Sequence, residues 1–374
     1  MLTVLQIEGF RAFSQYTVED LGRVNLFVGR NNSGKTTILE AAELLLASDS
    51  PGAVIGCAMR RGEIYVQKEH DRPGRYIDVS HLFYGHTPEV GARFRITGTE
   101  DGAPLSLECQ VKPIERGETI QQSFPFDIDK QPYGGERNFE PVLSLSIQSG
   151  PEKEPALLPM ALSGAVPFDA VRHLSPRPSR AEKPVSFVRT EALDTVELQE
   201  FWDSIALTEE EANVIESLRI LEPRLERIAF LGSRSYRFGP SSGGIFLRLA
   251  HLEKRIPLGS LGDGMRHLLT LSLAVGHAPR GFVMVDEIDT GLHHSVMSDM
   301  WRVLIASAER LDAQLFVTTH SLDCVRSLAW LAYTQPELCK GVRMHRVDSE
   351  RSKTVVYAPE EISIAAEQHV EMRG

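Results

Sequence analysis

The chain opens on MLTVLQIEGF, residues 1–10, in which apolar and polar positions alternate with the short period of an extended strand. This predicts a strand over 2–8. A second apolar run, VNLFV at 24–28, predicts another strand, and the two are expected to be antiparallel. After residue 35 the period lengthens. Ile38, Leu39, Ala42, Leu45 and Leu46 recur at steps of three and four, so a helix follows with these side chains on its buried face.

From 51 to about 186 the pattern changes again. The segment is rich in Gly and Pro and holds short runs such as ARFRITG, PLSLECQV and PVLSLSIQ. These read as strands of an antiparallel, loop-rich lobe, with 112–140 its least structured part. Two amphipathic helices come next. Asp194 or Thr195 caps the first, whose stripe is Leu198, Phe201, Trp202 and Ile205. Thr208 opens the second with a capping box closed by Glu211. Val214, Ile215, Leu218 and Leu221 form its stripe, and Pro223 ends it. Such stripes are core as a rule, and docking of a partner helix is the alternative. No heptad pattern lasts long enough for a coiled coil. From 259 onward strands and helices alternate. FVMV at 282–285 and LFV at 315–317 are unbroken apolar runs, as in strands covered on both faces of a parallel sheet. A strand pair at 342–347 and 353–357 and a terminal helix close the chain. The expected organisation is a discontinuous α/β core from 1–50 and 259–374, a β-rich lobe at 51–189, and a helical insertion at 190–258.

Composition narrows the compartment and the partners. In 374 residues no stretch approaches the roughly 20 apolar residues that span a bilayer. The N-terminus does not read as a secretion signal. Cys57, Cys109, Cys324 and Cys339 lie far apart, without a C-x-x-C pair, so neither a zinc site nor a disulfide framework is indicated. A cytoplasmic protein with reduced thiols, without membrane contact, is expected. Net charge is −11, which gives no bulk attraction to a polyanion. DNA remains a candidate partner through a local basic stretch at 172–189, with His173, Arg177, Arg180 and Lys183. The plainer reading of its composition is a solvated Pro-rich connector.

The chemistry begins at VGRNNSGKTT, residues 28–37. Gly29, Arg30, Asn31, Asn32, Ser33, Gly34, Lys35 and Thr36 fit G-x-x-x-x-G-K-[ST], between a strand and a helix, with Thr37 next. Backbone N–H groups of such a loop form a nest for phosphate oxygens, and the helix N-terminus adds its dipole. Lys35 is placed for the β/γ-phosphates and the Thr36 hydroxyl for Mg²⁺. Asn32 stands where glycine is usual. It is the non-glycine residue that best tolerates a left-handed backbone, so the loop survives. At 283–287, VMVDE ends an apolar strand in two acids. Asp286 is the candidate for Mg²⁺, and Glu287 the candidate that polarises the attacking water. His320 follows the next buried strand and is a candidate γ-phosphate contact. The loop at 260–266, with Ser260, Gly262 and Gly264, opens another helix and offers a second anion seat. Two chains facing each other would need both seats for one nucleotide.

The order of these motifs resembles an ABC-type ATPase head, and more closely its SMC/RecF/OLD-like branch. IEGFRAF at 7–13, NNSGKTT at 31–37 and DEIDTGLHH at 286–294 carry the closer resemblance, with His293 where transporters have Asp. It implies that Arg11 approaches nucleotide and that ATP and Mg²⁺ bind between the heads of a homodimer. Lys35, Thr36, Asp286, Glu287 and His320 then act from one subunit, and Ser260, Gly262 and Gly264 from the other. The signature reads L-G-D-G-M where L-S-G-G-Q is usual, and the strand VSFVRT makes Thr190 a candidate for the Q-loop position. About 250 residues separate Lys35 from Asp286, too few for a long coiled coil. The segment after His320 is short for a TOPRIM nuclease domain, so nuclease chemistry is expected in a separate effector chain. The expectation is an α/β P-loop NTPase acting as an ATPase switch in DNA metabolism or anti-phage defence. The alternatives are the energy subunit of a membrane transporter, and a small-molecule kinase or GTPase, for which no N-K-x-D motif is present.

Overall fold

The computed structural model describes residues 1–47, 51–69, 72–114, 143–150, 154–168, 170, 183–189, 195–231, 235–236, 239–240, 244–250 and 252–367. The chain forms two units. One comprises Met1–Glu19, Glu40–Glu182 and Asp348–Thr354; the other comprises Asp20–Leu39, Lys183–Val347 and Val355–Gly374.

The second unit is built on a six-stranded sheet in the order Val185–Val188, Phe282–Val285, Gln314–Thr318, Val24–Val28, Val342–Arg346, Val355–Tyr357. The first five are parallel, and the last pairs antiparallel. Every residue of Phe282–Val285, Gln314–Thr318 and Val24–Val28 is buried, which is why these runs carry no polar alternation. Val24, Leu26, Val283, Val285, Leu315 and Val317 share one core with Leu269 and Leu273 of helix Asp263–Gly276 and with Trp301 of helix Met297–Arg310. Each fully buried aliphatic side chain there contributes about 1.5–3 kcal/mol. The register aligns Val285 with Val317 and Thr318 with Phe27, so three neighbouring strands end at one edge. In an open parallel sheet that carboxyl edge is where ligands bind.

The first unit holds an antiparallel sheet in the order Phe13–Val18, Leu2–Phe10, Arg93–Glu100, Ala103–Pro113, Leu143–Ser149, Ala156–Met160. A smaller sheet pairs Ala165–Pro167, Arg72–Asp78 and Ile64–Glu69. Phe10, Phe83 and Phe94 cluster in its core, with Phe94 5.0 Å from Phe10 and 5.4 Å from Phe83 between ring centroids.

Several expectations are corrected. The first strand pairs antiparallel with Phe13–Val18, whereas Val24–Val28 lies in the parallel sheet. A two-residue turn makes this hairpin, with Arg11 at φ 48°, and Arg-Ala carries none of the Gly or Asn signal that such turns favour. Residues 51–60, read as part of a β-rich lobe, form helix Pro51–Arg60, which buries Val54, Ile55, Cys57 and Ala58. The 190–258 segment is not purely helical. Helices Thr195–Ile205 and Glu209–Leu218 join the core around Asp263–Gly276, and strands Leu225–Leu231 and Gly244–Leu249 pair behind them. The period-two burial of Ile245, Leu247 and Leu249 was legible in the sequence. The Thr208 cap forms with a one-residue offset: its hydroxyl accepts from Glu210 N at 3.2 Å, and Glu211 accepts from Leu207 N at 2.7 Å. Thr190, Asp194, residues 115–140 and the 172–182 part of the basic stretch lie outside the described residues.

Candidate nucleotide site

The glycine-bearing loop leaves the buried strand Val24–Val28 and enters helix Lys35–Leu46. At Gly29 a Cβ would lie 2.4 Å from the Val347 carbonyl oxygen, so no other residue fits there. Asn32 sits at φ 61°, the left-handed conformation expected of it. Arg30, Asn31 and Asn32 are exposed, while Ser33, Lys35 and Thr37 are buried. Lys35 folds over its own loop: Nζ donates to Gly29 O at 2.9 Å and Arg30 O at 2.8 Å. Burial lowers its pKa to about 8, with Asp286 and Glu287 pulling the other way. The Ser33 hydroxyl is buried without a hydrogen-bond partner among the described residues.

The acids meet this loop at the sheet edge. Thr36 Oγ1 lies 3.1 Å from both carboxylate oxygens of Asp286. Thr318, at the end of the intervening strand, donates to Asp286 Oδ1 at 2.6 Å and accepts from Glu287 N at 2.9 Å. Glu287 is left-handed at φ 56°. Its carboxylate is 3.6 Å from His320 Nε2, and both side chains are 40% exposed, so this pair faces solvent. Lys35, Thr36, Asp286, Glu287 and His320 are thus gathered at one edge, as their places in the sequence implied.

The 260–264 loop is tied to the segment after the acids. Ser260 and Gly262 are exposed, and Gly262 precedes helix Asp263–Gly276 without a side-chain cap. Gly264 packs on Gly291, leaving 2.7 Å between an added Cβ and the Gly291 oxygen. His267 Nε2 lies 2.9 Å from Ile288 O, and burial lowers the pKa of this imidazole, which donates through Nε2 as the neutral form. Thr319 donates to Asp289 and accepts from Ser321 N. Sequence reasoning did not single out Thr318, His267 or Thr319 as site residues. The polar pair Thr318-Thr319 ending an otherwise apolar strand was the available signal.

Arg11 is committed within the first unit. Its Nη1 donates to Glu63 at 2.7 Å, and its Nε is 2.8 Å from Glu40, which Arg61 also pairs at 2.8 Å. These buried carboxylates hold its pKa above the usual arginine value despite the burial that opposes charge.

The profile of the family described as "AAA domain, putative AbiEii toxin, Type IV TA system" matches residues 24–323. The chain belongs to this AAA family. The match begins at the strand before the phosphate loop and ends just past His320, so every candidate residue of the site except Arg11 lies inside the AAA domain. An ATP/GTP phosphatase of Helicobacter pylori (strain ATCC 700392 / 26695) is 22% identical over 344 residues, covering 88% of this chain and 87% of the relative. An uncharacterised protein, MJECL10 of Methanocaldococcus jannaschii, is 38% identical over 48 residues, 13% of this chain and 22% of its own. Among solved structures, the Smc head domain with an extended coiled coil bound to the C-terminal domain of ScpA, from Pyrococcus furiosus, superposes with a TM-score of 0.51 at 14% identity, over 98% of this chain and 99% of that one. The AAA domain therefore has the P-loop fold of an SMC head. Among the described residues no helix is long and apolar enough to cross a membrane.

Proposed function

We propose that this AAA protein is an Mg²⁺-dependent ATPase switch of the SMC/RecF/OLD-like type, which dimerises head to head on ATP and regulates a separate effector in DNA metabolism or anti-phage defence. One observation carries the reading: the Thr36 hydroxyl lies 3.1 Å from both Asp286 oxygens while buried Lys35 feels both acids. The residues suit the ligand. Among the described residues the ammonium bonds only to carbonyls of its own loop and the Ser33 hydroxyl has no partner, so both gain from a triphosphate. Among the described residues no cluster of three or more His, Cys, Asp or Glu could hold a metal ion. Thr36 and Asp286, whose oxygens lie 3.1 Å apart, would hold Mg²⁺ together with phosphate oxygens. When bound, the ion supplies Lewis-acid stabilisation of the phosphate charge.

The remaining chemistry belongs to side chains. Lys35 exchanges its carbonyl partners for the β/γ-phosphates. Glu287 accepts the proton of the attacking water, and His320, 3.6 Å away, orients that carboxylate or contacts the γ-phosphate. The exposed 260–264 loop, at an uncapped helix N-terminus, is offered to the nucleotide of a mate. The head fold, the relative's name and the toxin–antitoxin wording of the family support a nucleotide-driven switch with a separate effector.

The test is turnover of ATP and GTP by the wild-type protein, Lys35→Ala and Glu287→Gln, with sizing in ATP and Mg²⁺. Glu287→Gln is expected to lose turnover on the order of a hundredfold or more and to elute as a dimer. Undiminished turnover in that variant removes Glu287 from its role, and a monomer at saturating ATP removes the dimer. Undiminished nucleotide affinity in Lys35→Ala removes the loop as the binding site.

A further inference from the structure

Both acids of the site are held by one residue outside the assigned set. Thr318 is 1% exposed, at the end of the strand between the loop strand and the acid-bearing strand. A threonine hydroxyl has one proton to give and lone pairs to receive. Here the proton goes to Asp286 Oδ1 at 2.6 Å, a short, charge-assisted bond. The oxygen accepts from Glu287 N at 2.9 Å. The same residue's carbonyl accepts from Ile288 N at 3.0 Å. The two peptide N–H groups on either side of the Glu287 Cα are thus both fastened to Thr318. Glu287 is where such fastening matters, because its left-handed φ of 56° is unfavourable for a side-chain-bearing residue and persists only when its surroundings fix it.

We propose that Thr318 is a positioning residue: its single hydroxyl sets the Asp286 carboxylate toward the metal side and holds the Glu287 backbone in the conformation that presents its carboxylate beside His320. The proposal deepens the ATPase reading and rests on it for its catalytic consequence. Two residues on the acid strand's exit are locked by one hydrogen-bonding group on the neighbouring strand. Metal affinity and water activation should therefore fall together when the hydroxyl is removed.

The test compares Thr318→Val, which keeps shape and loses the hydroxyl, with Thr318→Ser, which keeps the hydroxyl. Hydrogen exchange of a peptide covering 283–290 is read in the nucleotide-free protein. Affinity for a fluorescent ATP analogue is read in EDTA and in Mg²⁺, and kcat and KM are read separately. In Thr318→Val the peptide exchanges faster, and affinity in EDTA stays within about twofold. The gain in affinity on adding Mg²⁺, and kcat, fall roughly ten- to a hundredfold, as for loss of a hydrogen bond to a charged group. Thr318→Ser recovers exchange, the Mg²⁺ response and most of kcat. Unchanged exchange and an unchanged Mg²⁺ response in Thr318→Val overturn the proposal. So does a Thr318→Ser variant as impaired as Thr318→Val, since packing of the methyl would then be the cause. If the wild-type protein hydrolyses no nucleotide, the ATPase reading fails by itself, and exchange at 283–290 still decides whether Thr318 holds Glu287.

Discussion

Replacing Gly264 by alanine sets two effects of opposite sign against each other. The residue lies in the first turn of helix Asp263–Gly276, and its φ is not among the positive ones. Alanine is favoured over glycine in a helix by up to about 1 kcal/mol, so propensity alone makes the change stabilising. Tertiary packing opposes it. The new Cβ would lie 2.7 Å from the Gly291 carbonyl oxygen, a backbone atom that no rotamer change can withdraw. Either the helix or the 289–292 turn must retreat by several tenths of an ångström. The turn is closed by Leu292 N to Asp289 O at 3.1 Å and continues from Thr290 N to Glu287 O at 3.1 Å, so the displacement reaches the catalytic candidate. Overpacking of this kind costs about 1–3 kcal/mol, so a net loss of up to about 2 kcal/mol remains after the propensity gain. For a unit of this size that lowers Tm by up to about 8 °C. Calorimetry should compare Gly264→Ala with Gly259→Ala, whose Cβ meets nothing within 4 Å and which should stay within about 0.5 kcal/mol of wild type. A Gly264→Ala protein that melts at or above the Gly259→Ala protein would refute the reasoning, because the helix and the turn would then not be in contact as described.

Other expectations are open to equally direct measurement. Lys35 has a pKa of about 8 without ligand, and a bound triphosphate raises it, so the complex holds more protons than the free protein above pH 8. Nucleotide affinity should therefore change little between about pH 7 and pH 8 and fall as pH rises beyond it, by up to about tenfold per pH unit, with proton uptake seen by calorimetry in buffers of different ionisation enthalpy. Affinity that is level from pH 7.5 to 9.5 would contradict this. Arg11→Met leaves Glu63 and part of Glu40 buried without a cation and should cost about 3 kcal/mol or more in chemical denaturation, while nucleotide affinity of the folded protein stays near wild type. A loss of affinity without a loss of stability would return Arg11 to the nucleotide.

The loop Gly29 to Thr36, the acids and His320 were legible because each is a run of residue types that chemistry constrains locally. Glycine is needed where a Cβ meets Val347 O, asparagine suffices at φ 61°, and apolar strands end abruptly in polar groups. The buried runs at 282–285 and 314–318 announced a parallel sheet for the same reason. The Arg11 turn and the helix Pro51–Arg60 were not legible. The turn has no glycine to signal its positive φ, and the glycines of the helix masked a period of three to four.

Strand order was beyond any local pattern. The sequence determined which segments would carry phosphate-binding and acidic groups, since those depend on a few adjacent residues. Only the tertiary structure decided that Gln314–Thr318 lies between the two motif strands, because pairing partners are chosen by packing across the whole sheet. That choice put a threonine hydroxyl between Asp286 and the Glu287 amide. Within the first unit, tertiary packing likewise decided that Arg11 pairs with Glu40 and Glu63.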